Sequence, residues 1–549
     1  MRSLPVLSLL LASSTSALPE LSISKRDRHT GGQTDLSARG VPALSRLRQR
    51  QDGTLETNIF DVLAWSSGGA YYANLTVGTP PQPQTVILDT GSSDLYFDAA
   101  SASTCQDPPA PTQACEGGTF DSSKSSTYRE VQPAPAFNTS FGDGSTAVGP
   151  YGSDVVGIGD VLIAPVQFGV ATSVDSATGF SIGLMGLGYS NNEAVTSTRN
   201  FYQNMPEVLS DAGEINSRLY SVFLNGANAG SGTILFGGID TSKYTGPLAT
   251  VNFLPQYYQG QELPLNFITT VTAANVTSQG QTAQLWSGGS PGIEAYNRDD
   301  TALPVLLDTG STAWTIPQRY FSNYIEPNFP FVDRSGTCSC EYAKSGPSLS
   351  LEFGGKVTIT VTPDQFIVPV IDPATRKPQI YDNKGNEACV FLLAPDTSGQ
   401  AFLTLGDAIL RSMYVVFDLD NGQGSIAQAA TNPGSPNIVT VQAGPTGVAA
   451  AVSGVNTAPA NSVKAPGEVQ SGTVSYSVAT AATPVGTATG ADAVPEGARV
   501  VGGSGTGTGG KTSSAAATAL AIPGVDNTAL WVAGIWTAGI ALGASMMLL

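Results

Sequence analysis

Two short stretches of this 549-residue chain carry nearly the same residues, and each contains a carboxylate suited to acid–base chemistry. Residues 86–93 read VILDTGSS, and residues 305–312 read VLLDTGST. They hold the two Asp-Thr-Gly triplets of the chain, at Asp89 and Asp308. Two carboxyl groups that share one site cannot both ionise easily, so they hold one proton between them. Such a pair could take a proton from water and polarise a carbonyl, which is peptide hydrolysis without metal or covalent intermediate.

The residues around each triplet predict how the carboxylates are positioned. The apolar run before each Asp predicts a buried strand that delivers the carboxylate at its end. Glycine after the threonine permits a tight turn, and the neighbouring hydroxyls can fix the carboxylates by hydrogen bonds. These supporting residues are Thr90, Gly91, Ser92, Thr309, Gly310 and Ser311. Each copy is followed by a segment that ends in glycine, residues 184–186 and 404–406, which predicts two lobes related by a pseudo-dyad.

Composition excludes several other chemistries. The single histidine, His29, lies in a segment that we expect to be removed, so Ser-His-Asp and Cys-His systems are excluded. The formal net charge of −18 argues against a nucleic-acid partner, because phosphate recognition needs Lys and Arg. No metal site is expected either, because without His29 the chain lacks histidine, the commonest zinc ligand.

The body of the chain has the pattern of an all-β protein. From about Asp52 to Ala430, short β-branched and aromatic runs alternate with clusters of Gly, Pro, Asn and Ser. Residues 200–209 and 318–324 could form short helices. About 380 residues exceed the usual size of one domain, so we predict lobes at 51–248 and 249–430.

Together with residues 237–240, 405–411 and 414–418, these cores resemble the pepsin-like aspartic endopeptidases, in the layout of the fungal GPI-anchored yapsin group. The resemblance implies a bilobal all-β fold, a cleft between the lobes, peptide substrates and no cofactor. By resemblance, Asp89 and Asp308 are the catalytic pair, and Thr90 and Thr309 cross-brace their loops. Ser92 and Ser311 would bond the outer carboxylate oxygens.

The family has a β-hairpin flap over the cleft, which falls here at residues 139–145. Phe141 stands where Tyr is usual, and Tyr96 stands where its Trp partner is usual, so the polar end of this contact is expected on Tyr96. Ordinary hairpin packing would also explain Phe141. Gly142 and Asp143 follow, and relatives with an acid at this place accept basic residues at the cleavage site. A solvated turn Asp in Gly-Asp-Gly explains Asp143 equally well.

Five cysteines in a secreted chain imply disulfides with one thiol left over. Cys105 and Cys115 flank a Pro-rich loop and are expected to pair. The resemblance implies a second bond between Cys340 and Cys389, although Cys338 is two residues away. Three sequons could carry N-linked glycan, at Asn74, Asn138 and Asn275.

The N-terminal residues read as processing signals. Residues 1–17 have the charge, apolar run and small-residue site of a secretory signal peptide. Residues 18–50 are basic in front of an acidic body, which predicts a pro-segment and hence a zymogen, with a disordered basic arm as the alternative.

The C-terminal residues predict a tether. Residues 431–514 are rich in Ala, Gly, Ser, Thr, Pro and Val, and read as an unfolded stalk. Residues 515–549 end in an uncharged run and read as a GPI-attachment signal, with attachment at Ser514 or Ser513 and a transmembrane helix as the alternative. We therefore expect a monomer on the outer leaflet of the plasma membrane, with cell wall or secretion as alternatives. A non-catalytic surface binding protein and a structural wall glycoprotein are the competing functional classes.

Overall fold

The computed structural model describes residues 53–457, with gaps, and the short segments 468–471 and 483–487. The gaps are 63–68, 107–114, 116, 132–135, 177–180, 195–200, 260, 264, 288–302, 373–374, 376 and 397–401. By backbone contacts the chain divides into Met1–Gly32 and Gln33–Leu549, and every described residue belongs to the second unit. The predicted signal peptide, pro-segment, Ser514 and residues 515–549 lie outside the described residues.

The largest sheet among these residues is built mainly from the first half of the sequence, and most of its strands are antiparallel neighbours. Its strands are Leu55–Val62, Ala70–Val77, Gln82–Asp89, Leu95–Asp98, Arg129–Glu130, Ala136–Ser140, Thr146–Ile158, Val161–Ala171, Ser173–Asp175, Gly183–Gly186, Leu219–Phe223, Ser231–Phe236, Tyr244–Asn252, Met413–Asp418, Gln423–Ala429, Asn456–Thr457 and Thr483–Thr487.

A second large sheet is built from the later residues. Its strands are Ile268–Ser278, Gln281–Ser287, Leu303–Leu307, Trp314–Ile316, Ser348–Phe353, Val357–Val361, Leu393–Pro395 and Leu403–Leu405. Smaller sheets contain Gly238–Asp240 with Ile438–Thr440, Gln256–Gln259 with Gln261–Leu263 and Glu468–Ser471, and Thr337–Ser339 with Ile367–Pro369 and Ala388–Phe391. The fold is therefore the predicted all-β, bilobal one.

Helices in the described ranges are short. The α-helices are Ser103–Gln106, Met205–Asp211, Gln318–Tyr320, Glu326–Asn328, Tyr342–Ser345, Pro363–Phe366, Asp407–Leu410 and Gly447–Ala451, with 3-10 helices at Ser122–Lys124 and Ser190–Asn192 and a π-helix at Phe321–Ile325. Met205–Asp211 begins with a reciprocal cap between Asn204 and Glu207, which satisfies two free backbone N–H groups. None of these helices is long and apolar enough to span a membrane.

Strands from the two halves of the sequence join in one sheet. Leu219–Phe223 pairs with Met413–Asp418, and Tyr244–Asn252 pairs with Gln423–Ala429. The predicted lobe boundary at 248/249 falls inside Tyr244–Asn252. We call the sheet formed by these four strands the shared sheet. Aromatic rings cover one face of it, including Tyr220 stacked 5.0 Å from Phe417.

The chain stays folded beyond Ala430, which corrects the expectation of an unfolded stalk from Thr431. Ile438–Thr440 pairs antiparallel with Gly238–Asp240, and Gly447–Ala451 is helical. Three valines of this segment, Val441, Val448 and Val452, are buried against the shared sheet. The composition of this segment did not predict that it folds, because the apolar surface against which it packs belongs to the rest of the protein. Burial against that surface offsets the entropy lost on ordering.

Candidate active site

Two equivalent strand arrangements position Asp89 and Asp308. Gln82–Asp89 runs parallel to Gly183–Gly186, with Gly186 in register with Asp89. Leu303–Leu307 runs parallel to Leu403–Leu405 in the same way, and the amide of Asp308 donates to the carbonyl of Leu405 (3.1 Å). Strands that are buried on both faces are continuous apolar runs, as both sequence copies are.

Glycine is required where each neighbouring strand ends. A Cβ atom built on Gly186 would lie 2.4 Å from the backbone carbon of Ser93, and one on Gly406 would lie 2.4 Å from the carbonyl oxygen of Ser311. Both distances are shorter than non-bonded contact. Gly186 and Gly406 therefore let their strands come close to the loops that carry Asp89 and Asp308.

Threonine side chains cross-brace the two loops. The Thr90 hydroxyl donates to the carbonyl of Leu307 (2.8 Å), and the Thr309 hydroxyl donates to the carbonyl of Leu88 (2.8 Å). Each hydroxyl also accepts from the other threonine's backbone N–H, at 3.1 and 3.0 Å. The four bonds join residues 217 to 221 apart in sequence, so they hold the two carboxylates against each other.

The carboxyl groups of Asp89 and Asp308 are buried and hydrogen bonded to each other. Burial raises the pKa of Asp89 to about 6, although bonds from the Ser92 hydroxyl and the Gly91 amide (2.7 Å) lower it. Burial and the charge of Asp89 raise the pKa of Asp308 well above its usual range. The pair therefore holds a proton at Asp308 while Asp89 ionises first.

The serines beside the two carboxylates are not equivalent, which differs from the expectation for Ser311. The Ser92 hydroxyl donates to Asp89 Oδ2. Neither Ser311 Oγ nor Asp308 Oδ2 has a hydrogen-bond partner among the described residues. Asp308 keeps the donor from the Gly310 amide (2.9 Å). With fewer donors to stabilise its charged form, Asp308 is the member that keeps the proton.

The predicted flap is a hairpin of Ala136–Ser140 and Thr146–Ile158. The ring of Phe141 lies 6.3 Å from the ring of Tyr96, so the expected contact between them is present. The Tyr96 hydroxyl points to the carbonyl of Ile182 (3.4 Å). Burial, followed by the charges of Asp98, Asp89 and Asp143, raises its pKa well above the usual range.

Asp143 is half-buried at the tip of the flap, between exposed Gly142 and Gly144. Its Oδ1 accepts from the backbone N–H of Ser145 (2.8 Å), which is the turn role proposed from Gly-Asp-Gly. Its charge also acts on the Tyr96 hydroxyl together with that of Asp89.

Asp94 and Asp98, which the sequence analysis did not assign, are buried acids close to the site. Asp94 accepts from two tyrosine hydroxyls and a backbone N–H. Asp98 accepts from the Ser181 hydroxyl (2.8 Å), and its Oδ2 has no hydrogen-bond partner in the described part of the chain. A comparison of the two repeats could have drawn attention to Asp94, because the equivalent position in the second copy, 313, is alanine.

The structure contains the disulfides Cys105–Cys115 and Cys340–Cys389, as predicted, and leaves Cys338 as a buried thiol. Burial raises the pKa of that thiol to about 12. Asp98 lies within 4.8 Å of both sulfur atoms of the first disulfide, which are not thiolates and so are not available as metal ligands.

The three sequons differ in exposure. Asn74 is buried inside a strand and its Oδ1 accepts from the Thr85 hydroxyl (3.0 Å), so the structure contradicts a glycan at Asn74. Asn275 is half-buried and donates to Ser350 Oγ (3.3 Å), whereas Asn138 is exposed on the first flap strand.

Comparison with known proteins agrees with the geometry of the site. Residues 70–429 match the family described as eukaryotic aspartyl protease, and the chain belongs to this family. It is therefore an aspartic-type endopeptidase with a pepsin-like fold.

Three fungal relatives cover most of the chain. "Probable aspartic-type endopeptidase opsB" of Aspergillus fumigatus is 33% identical over 412 residues, which are 74% of this chain and 77% of the relative. "Acid protease" of Saccharomycopsis fibuligera is 34% identical over 366 residues, 65% of this chain and 80% of the relative. "Aspartic proteinase yapsin-3" of Saccharomyces cerevisiae is 31% identical over 381 residues, 68% of each chain.

Asp98 generates a prediction about stability and pH. Burial raises its pKa to about 7, so the folded protein keeps a proton that the unfolded chain loses above about pH 4. The contribution of Asp98 to the free energy of unfolding therefore falls as pH rises from about 4 to about 7. Asp98→Asn carries no such proton, and we expect its Tm to fall by about 2–5 °C less over this range than that of the wild type. Thermal unfolding at stepped pH measures this.

The control is Asp175→Asn, because Asp175 is exposed on a strand of the same sheet. It should keep the wild-type dependence of Tm on pH. An Asp98→Asn variant that loses stability with pH as steeply as the wild type would contradict the assignment.

Proposed function

We propose that this endopeptidase works at acid pH through the carboxyl pair. Ionised Asp89 takes a proton from a water molecule, and the water oxygen attacks the peptide carbonyl carbon. Protonated Asp308 donates to the carbonyl oxygen, which gives a tetrahedral diol. Asp89 then gives its proton to the amide nitrogen while Asp308 takes one from a diol hydroxyl. The C–N bond breaks, a carboxylic acid and an amine are released, and the pair is back in its starting state. The observation that carries this proposal is the buried, mutually hydrogen-bonded pair with unequal donors.

The pKa values favour weakly acid conditions, and one relative is named "Acid protease". The pair works with one proton, and the pKa of Asp89 is about 6. Asp89 ionises as the pH rises toward this value while Asp308 keeps its proton, so the single-proton state grows through the weakly acid range. Both carboxylates come from one chain, which supports a monomer as the active form.

The experiment is cleavage of a denatured protein at pH 3–6 by the purified protein. Asp89→Asn replaces the base with a neutral amide, so kcat should fall by about a thousandfold or more while the fold is kept. Asp160→Asn, an exposed acid of the same lobe, should cleave like the wild type. Equal activity of Asp89→Asn and the wild type would contradict the mechanism.

We further propose a preference for Lys or Arg at the cleavage site, set by Asp143. Its position at the flap tip and its charge effect on Tyr96 support a carboxylate that faces the cleft. One relative is named yapsin-3, which agrees with the resemblance to the yapsin group. A basic substrate side chain loses its hydration when it enters the cleft. A carboxylate there would stabilise its charge by a charge-assisted hydrogen bond.

Asp143→Asn keeps the Oδ1 acceptor of the turn and removes the charge. We expect the ratio of kcat/KM for a Lys substrate to that for a matched Leu substrate to fall by about tenfold. Asp160→Asn again serves as the control, with an unchanged ratio. An unchanged ratio in Asp143→Asn would leave the turn as the only role of this residue.

We also propose secretion as a zymogen and attachment to the outer leaflet through a GPI anchor, on the sequence of residues 1–50 and 515–549. In that compartment Asn138 is the sequon best placed to carry glycan, because it is exposed. Treatment of intact cells with phosphatidylinositol-specific lipase should release the activity into the medium. A chain with residues 515–549 deleted should be released without the lipase, and retention of that variant on membranes would contradict the anchor.

A further inference from the structure

The carboxylate of Asp94 joins three segments of the N-terminal lobe. Its Oδ1 accepts from the hydroxyls of Tyr151 (2.7 Å) and Tyr202 (2.8 Å). Its Oδ2 accepts from the backbone N–H of Ala194 (2.7 Å). Glu193 lies beside them, with Oε2 accepting from the Tyr202 amide (2.8 Å). We call Asp94, Tyr151, Tyr202 and Glu193 the Asp94 cluster, and all four side chains are buried.

One side of the Asp94 cluster leads to the carboxyl pair. Asp94 follows Asp89 in the same turn, and its carbonyl accepts from the amide of Gly186 (2.8 Å). Gly186 is in register with Asp89. A shift of Asp94 therefore moves the loop that carries Asp89.

The other side leads to the flap. Tyr151 belongs to the second flap strand, and its ring packs edge-on against Phe137 of the first flap strand at 5.5 Å. Phe137 lies 5.3 Å from Tyr96, whose ring contacts Phe141 at the flap tip. Contacts thus run without interruption from the Asp94 carboxylate to the residue that covers the cleft.

We propose that Asp94 is a positioning residue that sets the height of the flap above the carboxyl pair, through its hydrogen bond from Tyr151. Its kinetic consequences rest on the proposed function. The placement of the flap itself does not.

Protonation within the Asp94 cluster couples this placement to pH. Burial raises the pKa of Asp94 against the bonds from Tyr151, Ala194 and Tyr202. Burial and then the charge of Asp94 raise the pKa of Glu193, with a smaller contribution from the charge of Glu207. Glu193 Oε1 is buried without a hydrogen-bond partner among the described residues. Acid pH keeps Glu193 neutral, and rising pH places two negative charges side by side, which loosens the anchor of the flap.

Tyr151 and Tyr202 offer a matched pair of variants, because each donates one hydroxyl to the same oxygen of Asp94. Tyr151→Phe releases the flap strand, whereas Tyr202→Phe releases a segment outside the flap. We expect Tyr151→Phe to speed amide hydrogen exchange of residues 136–146 by about tenfold and to raise KM by about three- to tenfold. Tyr202→Phe should lower Tm by a similar amount but change flap exchange and KM by less than about twofold.

Equal effects of the two variants on flap exchange, or no effect of either, would overturn the proposal. Hydrogen exchange needs no catalytic activity, so it decides the point even if the protein cleaves no substrate. If a variant fails to fold, hydrogen exchange of the wild type at different pH values tests the proposal instead. Protection of residues 136–146, corrected for intrinsic rates, should fall between pH 4 and 7.5 by more than that of residues 348–361, a hairpin of the other lobe. Parallel loss in both hairpins would also overturn it.

Discussion

The four hydrogen bonds between Thr90 and Thr309 and the backbone of the opposite loops are the constraint on which the site depends. They satisfy polar groups in a place that water does not reach, and each would leave a costly unpaired donor or acceptor if the loops moved apart. The repulsion and desolvation of two adjacent carboxyl groups push in the opposite direction. The cross-brace therefore keeps together two groups that would separate if they were free, and the shared proton follows from that proximity.

A second buried interaction ties the ends of the fold to this arrangement. The guanidinium of Arg411 is buried, with Nη2 3.6 Å from Asp61 of the first strand and 4.0 Å from Asp407. It also donates to the Tyr71 hydroxyl (3.1 Å) and to the carbonyl of Gln365 (3.1 Å). Removing one partner of a buried ion pair costs about 3–5 kcal/mol because the other charge stays buried. Arg411 thus fixes the register of the early strands against the segment that follows Leu405–Gly406.

The sequence predicted the parts of the site that are local or repeated. Asp89, Asp308 and both threonines were visible because each is encoded twice, and Cys105–Cys115 because ten residues separate its ends. The contacts of the Asp94 cluster could not be predicted, because its tyrosines lie 57 and 108 residues from Asp94 and no local pattern marks them. The buried state of Asn74 depends on strands that cover it from elsewhere in the chain. Ser311 occupies the same place in the repeat as Ser92 but does not make the equivalent hydrogen bond to its aspartate. A repeated residue therefore need not repeat its contact.

Side chains alternate between the two faces of the shared sheet along each strand. Tyr220 and Phe417 face the side of the carboxyl pair, and the charge of Asp89 reaches the Tyr220 hydroxyl. Leu219, Tyr414 and Val416 face the opposite side and are covered by Val441, Val448 and Val452. The segment beyond Ala430 therefore completes the hydrophobic core behind the active site, and a chain that ended at Ala430 would expose this face of the shared sheet to water.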